Sequence, residues 1–227
     1  MIMNTNNSTQ ELVQKSDKSF VLSITITKDS IQDTYKKVLS QIAPKIKIDG
    51  FRPGKAPIEQ IEAKLNPEEV LKEVITDLLS KVYGEKLTQY KLKPIIEPKV
   101  KIITTPVTVE TDWQVEYESC EQPEIKIDPK LYEEIKKLDK TSEKLLDQIV
   151  EQLEKFAQVE IPALLTPEKD WKINFAIDQV GKEQKIQIGE SDLKPAIEKN
   201  PSLGQNINLL YYLVYQQKVL DYLKNLI

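Results

Sequence analysis

The residues best suited to chemistry in this sequence stand together at positions 48–57, Ile-Asp-Gly-Phe-Arg-Pro-Gly-Lys-Ala-Pro. Gly50 and Gly54 admit backbone angles closed to other residues, and Pro53 and Pro57 stiffen the stretch, so Phe51, Arg52 and Lys55 should stand out toward solvent on a tight loop. Arg52 is the only arginine, beside 31 lysines. Its planar guanidinium can grip a carboxylate or phosphate through two parallel hydrogen bonds, which an ammonium cannot do. Six basic residues (Lys36, Lys37, Lys45, Lys47, Arg52, Lys55) fall between positions 36 and 55 against one acid, Asp49, a strongly positive stretch on a chain of net charge −4. As a nucleotide phosphate loop the stretch fails, because three residues separate its glycines where that pattern needs four, and Ala56 stands where a hydroxyl would hold magnesium. A structural turn and a docking tip for an anionic partner both remain. The second leads, because it uses the lone arginine and the phenyl ring beside it.

Little else in the composition supports catalysis. The 227 residues include no histidine and one cysteine, Cys120, which removes His-based triads, zinc clusters and an internal disulfide. Acid–base work would fall to Asp, Glu, Lys or Tyr. No cofactor or metal is expected, and a binding role gains accordingly. No run approaches the ~18–20 apolar residues of a membrane span, and the polar N-terminus lacks the apolar core of a secretory signal. A cytoplasmic protein with no membrane partner is the expectation.

Elements that position the loop can be read on either side of it. Residues 1–17, rich in Asn, Ser, Thr and Gln, read as a disordered leader. From Ser19 to Thr27 the residues Phe20, Leu22, Ile24 and Ile26 alternate with polar ones, predicting a half-buried strand. Asp29 or Ser30 then caps a helix carrying Ile31, Tyr35, Val38, Leu39 and Ile42 until Pro44 ends it. Beyond the loop, Pro57 opens a short helix to Leu65, and Asn66-Pro67 begins a longer one through Val70, Leu71, Val74, Leu78, Leu79 and Val82. Strands over 94–104 and 107–118 complete an α+β unit, an antiparallel sheet packed on helices, spanning residues 18–121.

Residues 122–140 read as an extended, Pro-punctuated linker. A smaller, mainly helical body over 141–227 follows, with a helix opened by Thr141 or Ser142 and carrying Leu145, Leu146, Ile149, Leu153 and Phe156. Trp171 to Ile177 alternates as a strand, Ile186 to Ile188 as a second, with a hairpin over 178–182 between them. A last helix from about Asn206 to Leu226 surrounds its leucines with Tyr211, Tyr212, Tyr215 and Tyr222. So broad an apolar surface must dock on the body or on a partner.

The loop Gly50-Phe51-Arg52-Pro53-Gly54-Lys55-Ala56-Pro57 resembles the GFRxGKxP signature of the trigger factor family, ATP-independent chaperones of the bacterial ribosomal exit tunnel. The element order over residues 11–140, closing on Gln122-Pro-Glu-Ile125, is similar to that family's ribosome-binding domain. The resemblance implies that Gly50, Phe51, Arg52, Pro53, Gly54, Lys55 and Pro57 dock on the large subunit, Arg52 meeting acidic protein or rRNA phosphate. Pro53 fills the variable position of the signature, where a lysine would add a charge.

Beyond residue 140 the likeness is partial. The family carries an FKBP-like prolyl isomerase domain and a helical domain with arms, together a much longer chain. Residues 170–181 look like the opening of the isomerase domain, and Leu193-Lys-Pro-Ala-Ile-Glu198 is similar to its Ile-Pro-Gly-Phe-Glu segment with Ala196 and Ile197 in place of the glycine and the aromatic. Residues 168–207 therefore read as a reduced, inactive remnant or as part of the helical body. Val159-Glu-Ile-Pro162 resembles a segment leading into the helical arms.

On this reading the protein is a chaperone that shields nascent or unfolded polypeptides, with Tyr211, Tyr212, Leu213, Tyr215, Tyr222 and Phe156 as the substrate-binding candidates. Away from the ribosome it could form a weak homodimer. Two alternatives stand beside this. One is a peptidyl-prolyl isomerase with a minimal hollow between Trp171, Phe175 and Ile188. The other is a ribosome-bound factor without chaperone action.

Overall fold

A computed structural model describes residues 11–48, 50–52 and 55–227. The chain is α+β and divides into two compact units, residues 1–122 and 123–227.

In the first unit the alternation around Ser19 becomes strand β2 (Ser19–Ile26), paired antiparallel with β4 (Trp113–Cys120) in the centre of a sheet ordered β1-β2-β4-β3, with β1 at Leu12–Gln14 and β3 at Lys99–Ile102. The register sets Leu22 opposite Tyr117, Ile24 opposite Val115 and Ile26 opposite Trp113, so one face of the sheet is continuously apolar. Helices α1 (Lys28–Ile42) and α3 (Pro67–Tyr90) cover that face with Ile31, Val38 and Leu39, and with Val70, Val74 and Leu78. Burying each large side chain of this core contributes about 1.5–3 kcal/mol. The indole N–H of Trp113 donates to the Thr108 carbonyl at 2.7 Å, and the Tyr117 hydroxyl donates to the Leu79 carbonyl at 3.1 Å. On the opposite face Glu118 and Glu116 lie across from Lys99 and Lys101 of the edge strand. Opposite charges in register support the pairing, and edge lysines discourage a further strand from adding there.

Local chemistry sets the helix limits. The Thr27 side chain caps α1, accepting from the Ser30 N–H, two residues before Asp29 and three before Ser30, the expected caps. Asn66 caps α3 by accepting from the Glu68 N–H at 3.0 Å, with Pro67 in its first turn. Lys91, at φ 56°, ends α3 in a left-handed step after which Leu92 folds back into the core. Between them lies α2 (Ile58–Glu62), anchored by buried Ile61.

Three expectations need correction in this unit and at its end. The leader is shorter than predicted, since Leu12–Gln14 pairs with Phe20–Leu22; residues 1–10 lie outside the described residues. The two strands expected over 94–104 and 107–118 contract to β3 and β4, because residues 103–112 form the connecting turn beneath which Val107 and Val109 pack. Residues 122–140 are not an extended linker. They carry strand β5 (Lys126–Ile127) and helix α4 (Lys130–Ile135), whose Leu131 and Ile135 are fully buried.

The second unit is built from α4, α5 (Leu145–Phe156), α6 (Glu168–Glu183), α7 (Glu190–Lys199) and α8 (Ile207–Lys224), with β5 paired to the two-residue β6 (Ala157–Gln158). Its core joins Leu131, Ile135, Ile149, Leu153, Ala176, Ile177, Val180, Val219 and Leu223. Helix α5 begins later than Thr141 or Ser142, because Asp139 closes a turn by accepting from the Thr141 N–H and hydroxyl at 2.9 and 2.7 Å.

The expected hairpin is helix. Trp171 to Ile177 and residues 178–182 all lie in α6, and 186–188 pair with no strand among the described residues. Apolar residues at 171, 173, 175 and 177 fit both periods over so short a window. The buried set Phe175, Ala176, Ile177, Val180 and Gly181 follows the helical one. Acids Glu168 and Asp170 in the first turn and Lys182 in the last suit a helix dipole. At the end Lys185 turns left-handed at φ 54°, the Lys185 N–H reaches the Lys182 carbonyl at 3.1 Å, and the Ile186 N–H reaches the Gly181 carbonyl at 2.9 Å. This is a Schellman stop with lysine where glycine is usual. Sheet walls for a proline hollow between Trp171, Phe175 and Ile188 are therefore missing; the two rings are neighbours one turn apart on α6, with centroids 5.6 Å apart.

Candidate functional site

The basic loop leaves α1 where Pro44 forbids continuation, through a short 3-10 turn over Ala43–Lys45. The Phe51 N–H donates to the Ile48 carbonyl at 3.1 Å, closing a four-residue turn with Gly50 third at φ +83°. A positive φ at that position is strained for a residue with a side chain, which is why glycine stands there. The Lys55 N–H in turn donates to the Arg52 carbonyl at 3.0 Å. Asp49, Pro53 and Gly54 lie outside the described residues. Pro57 then precedes the first turn of α2.

The base of the loop is held on both sides. Ile61 is buried beneath α2, and the Tyr35 hydroxyl of α1 donates to Glu62 of α2 at 2.6 Å. Burial, reinforced by the Glu62 carboxylate, pushes the Tyr35 phenol up to about 12, so it stays a donor at neutral pH. Over this fixed base Phe51 is 42% exposed, and Arg52, Lys55 and Pro57 are exposed as well. Lys36, Lys37, Lys45 and Lys47 also face solvent. Among the described residues none of these six cations is held in an ion pair, whereas lysines elsewhere, such as Lys28 with Glu110 and Lys218 with Asp192, are. Chemically the loop offers a bidentate guanidinium, unpaired ammonium groups and one exposed aromatic ring on a braced turn.

The six residues expected to bind polypeptide separate into two groups. Tyr215, Tyr222 and Phe156 are half-buried parts of the second core. The Tyr215 hydroxyl donates to the Asp178 carbonyl at 3.4 Å, the Tyr222 hydroxyl donates to Gln184 Oε1 at 2.8 Å, and Phe156 lies 5.0 Å from the Lys155 ammonium, measured to the ring centroid. Tyr211, Tyr212 and Leu213 are exposed and contiguous on the first half of α8. Ile207 and Leu209, 52% and 43% exposed, extend this patch. The signal that marks the whole patch is the run 200–217, which has no charged side chain in a chain that is 30% charged. Beside it, Tyr211, Tyr212 and Tyr215 line a shallow hollow with Ile186 and Ile188.

Residues 8–156 match the family model described as bacterial trigger factor protein. The trigger factor of Thermus thermophilus is 28% identical over 85 residues, which are 37% of this chain and 21% of that protein. The trigger factor of Mycolicibacterium vanbaalenii is 38% identical over 66 residues, 29% of this chain and 14% of that one. The stretches shared with these relatives are thus a small part of their length. A solved structure from work on promiscuous substrate recognition in folding and assembly activities of the trigger factor chaperone aligns with a TM-score of 0.39 at 23% identity, covering 63% of this chain and 34% of the other. With its family model matched over more than half its length, the chain belongs to the bacterial trigger factor family.

Proposed function

We propose that this chain is an ATP-independent chaperone of the cytoplasm that docks near the exit tunnel of the ribosomal large subunit and shields nascent polypeptides. The observation that carries the reading is the basic loop between α1 and α2, in which Phe51, Arg52 and Lys55 are exposed and, among the described residues, no acid is paired with Arg52 or Lys55. Unpaired cations on a rigid support keep their charge for an external anion and lose little side-chain freedom on docking. Phe51 supplies the apolar anchor that a purely electrostatic contact lacks.

Shielding is assigned to the exposed, uncharged first half of α8, from Ile207 to Leu213. Tyrosines combine an apolar body with a polar tip and suit loose contacts with varied unfolded segments. No bond rotation about proline belongs to this reading, since residues 168–183 form one helix rather than the walls of a pocket.

Co-sedimentation with 70S ribosomes over a range of salt tests the docking half. The wild-type chain should pellet with ribosomes, its affinity should fall as salt rises, and Phe51→Ala/Arg52→Ala should weaken it roughly tenfold or more. A wild-type chain that stays in the supernatant at low salt would overturn docking and leave the loop a structural turn.

A further inference from the structure

Helix α2 has five residues, too few to hold a helix by themselves. It packs chiefly against α1, and its buried side chain is Ile61. Among the described residues one side-chain hydrogen bond joins the two helices, from the Tyr35 hydroxyl to Glu62 Oε1 at 2.6 Å. Tyr35 is itself seated, since its ring packs against the first core, as does Leu65 just beyond α2. The loop that these helices enclose has no comparable tie. Among the described residues from 46 to 56, each backbone hydrogen bond spans three positions: Ile46 to Ala43, Phe51 to Ile48 and Lys55 to Arg52. Such bonds shape turns but leave the direction of the whole loop open. That direction depends on where the chain enters α2.

We propose that Tyr35 is a positioning residue for ribosome docking: through Glu62 it fixes α2 on α1, and so fixes how the loop presents Phe51, Arg52 and Lys55. The inference rests on the docking reading above. With its far end loose, the loop has to be ordered anew at each encounter, and that ordering subtracts from the affinity. The cations engaged in the complex stay the same in number, so loss of the Tyr35 bond weakens docking without changing how many counterions are released. Neither Tyr35 nor Glu62 need touch the partner for this.

Ribosome co-sedimentation over a range of salt tests this, together with hydrogen exchange of the Ala63 amide, which bonds to the Glu59 carbonyl of α2 at 3.1 Å. In the full chain Tyr35→Phe should bind ribosomes about three- to tenfold more weakly, with the slope of log affinity against log salt unchanged, whereas Arg52→Ala should flatten that slope. With ribosomes absent, Tyr35→Phe should also speed exchange of the Ala63 amide. Glu62 is exposed, so its variants keep the fold. Glu62→Gln retains an acceptor for the hydroxyl and should bind as the wild type does, while Glu62→Ala should match Tyr35→Phe. Wild-type affinity in Tyr35→Phe, an Ala63 amide indifferent to it, or equal losses in Glu62→Gln and Glu62→Ala would each overturn the proposal and leave docking in place. A wild-type chain that does not bind overturns docking and this inference with it.

Discussion

Gly181 lets Tyr215 and Val219 of α8 pack directly against α6. A methyl group built there would lie 2.6 Å from Tyr215 Cζ and 2.8 Å from Val219 Cγ2. Gly181→Ala should therefore overpack this crossing and cost about 1–3 kcal/mol, seen as a lower urea midpoint. Tyr215→Ala removes the nearest obstacle, so the double variant should lose less than the sum of the two single ones. An unchanged midpoint for Gly181→Ala would mean the crossing is looser than described. The need for glycine here could not be read from its neighbours, because it is created by a tyrosine on another helix. Gly50 shows the opposite case: the turn that needs it is built from adjacent residues, so the exposed loop was legible as a local pattern. The tyrosines stand between. Their amphipathic character was legible, but which of them face solvent depends on where α6 sits, and Tyr215 and Tyr222 are spent on it.

At the scale of elements, the two central strands of the first unit, β2 and β4, and both of its long helices follow from sequence because their apolar periods run long enough, whereas the three residues of β1 and the four of β3 are too short to show a period. Helix α6 did not follow from sequence, since the window Trp171 to Ile177 satisfies two periods, and the helical one is marked by the buried set that continues through Ala176 to Val180 and Gly181. Helix α4 was hidden by the prolines around it and by its length of six residues. The first half of α8 raises a question of function rather than of assignment. Replacing Tyr211, Tyr212 and Leu213 together by serine should reduce the chain's capacity to suppress aggregation of an unfolded client, measured by light scattering. Ribosome co-sedimentation should stay unchanged. The side chains are exposed, so each change should alter stability by only about 0.5 kcal/mol. Undiminished suppression would remove this patch from the client-binding surface.

Across the whole molecule, two units each have a core of their own, and each carries a carboxylate tied to a lysine of another element. In the first, Glu11 is held below the usual carboxylate range by hydrogen bonds from Lys86 and then from Tyr90. In the second, Asp192 is held low by Lys218 and then by the Gly189 N–H at 2.8 Å. Both groups bind protons more weakly folded than unfolded. Their stabilisation is complete above the unfolded values, 4.5 and 3.8, and is lost as pH falls through the lower folded ones. Glu11→Gln should therefore shrink the fall in urea midpoint between neutral pH and about pH 3. An equal fall in variant and wild type would show that the Glu11 contacts do not distinguish the two states.

The second core also has a consequence for how the chain is made. It joins Leu131 and Ile135 to Val219 and Leu223, residues far apart in synthesis, whereas the first core is complete once Tyr117 has been added. During translation the first unit can close while the rest is still being polymerised. The second must wait for α8, leaving α4 to α6 with their apolar faces uncovered in the interval. A protein that we propose guards emerging chains thus passes through the same vulnerable state during its own synthesis.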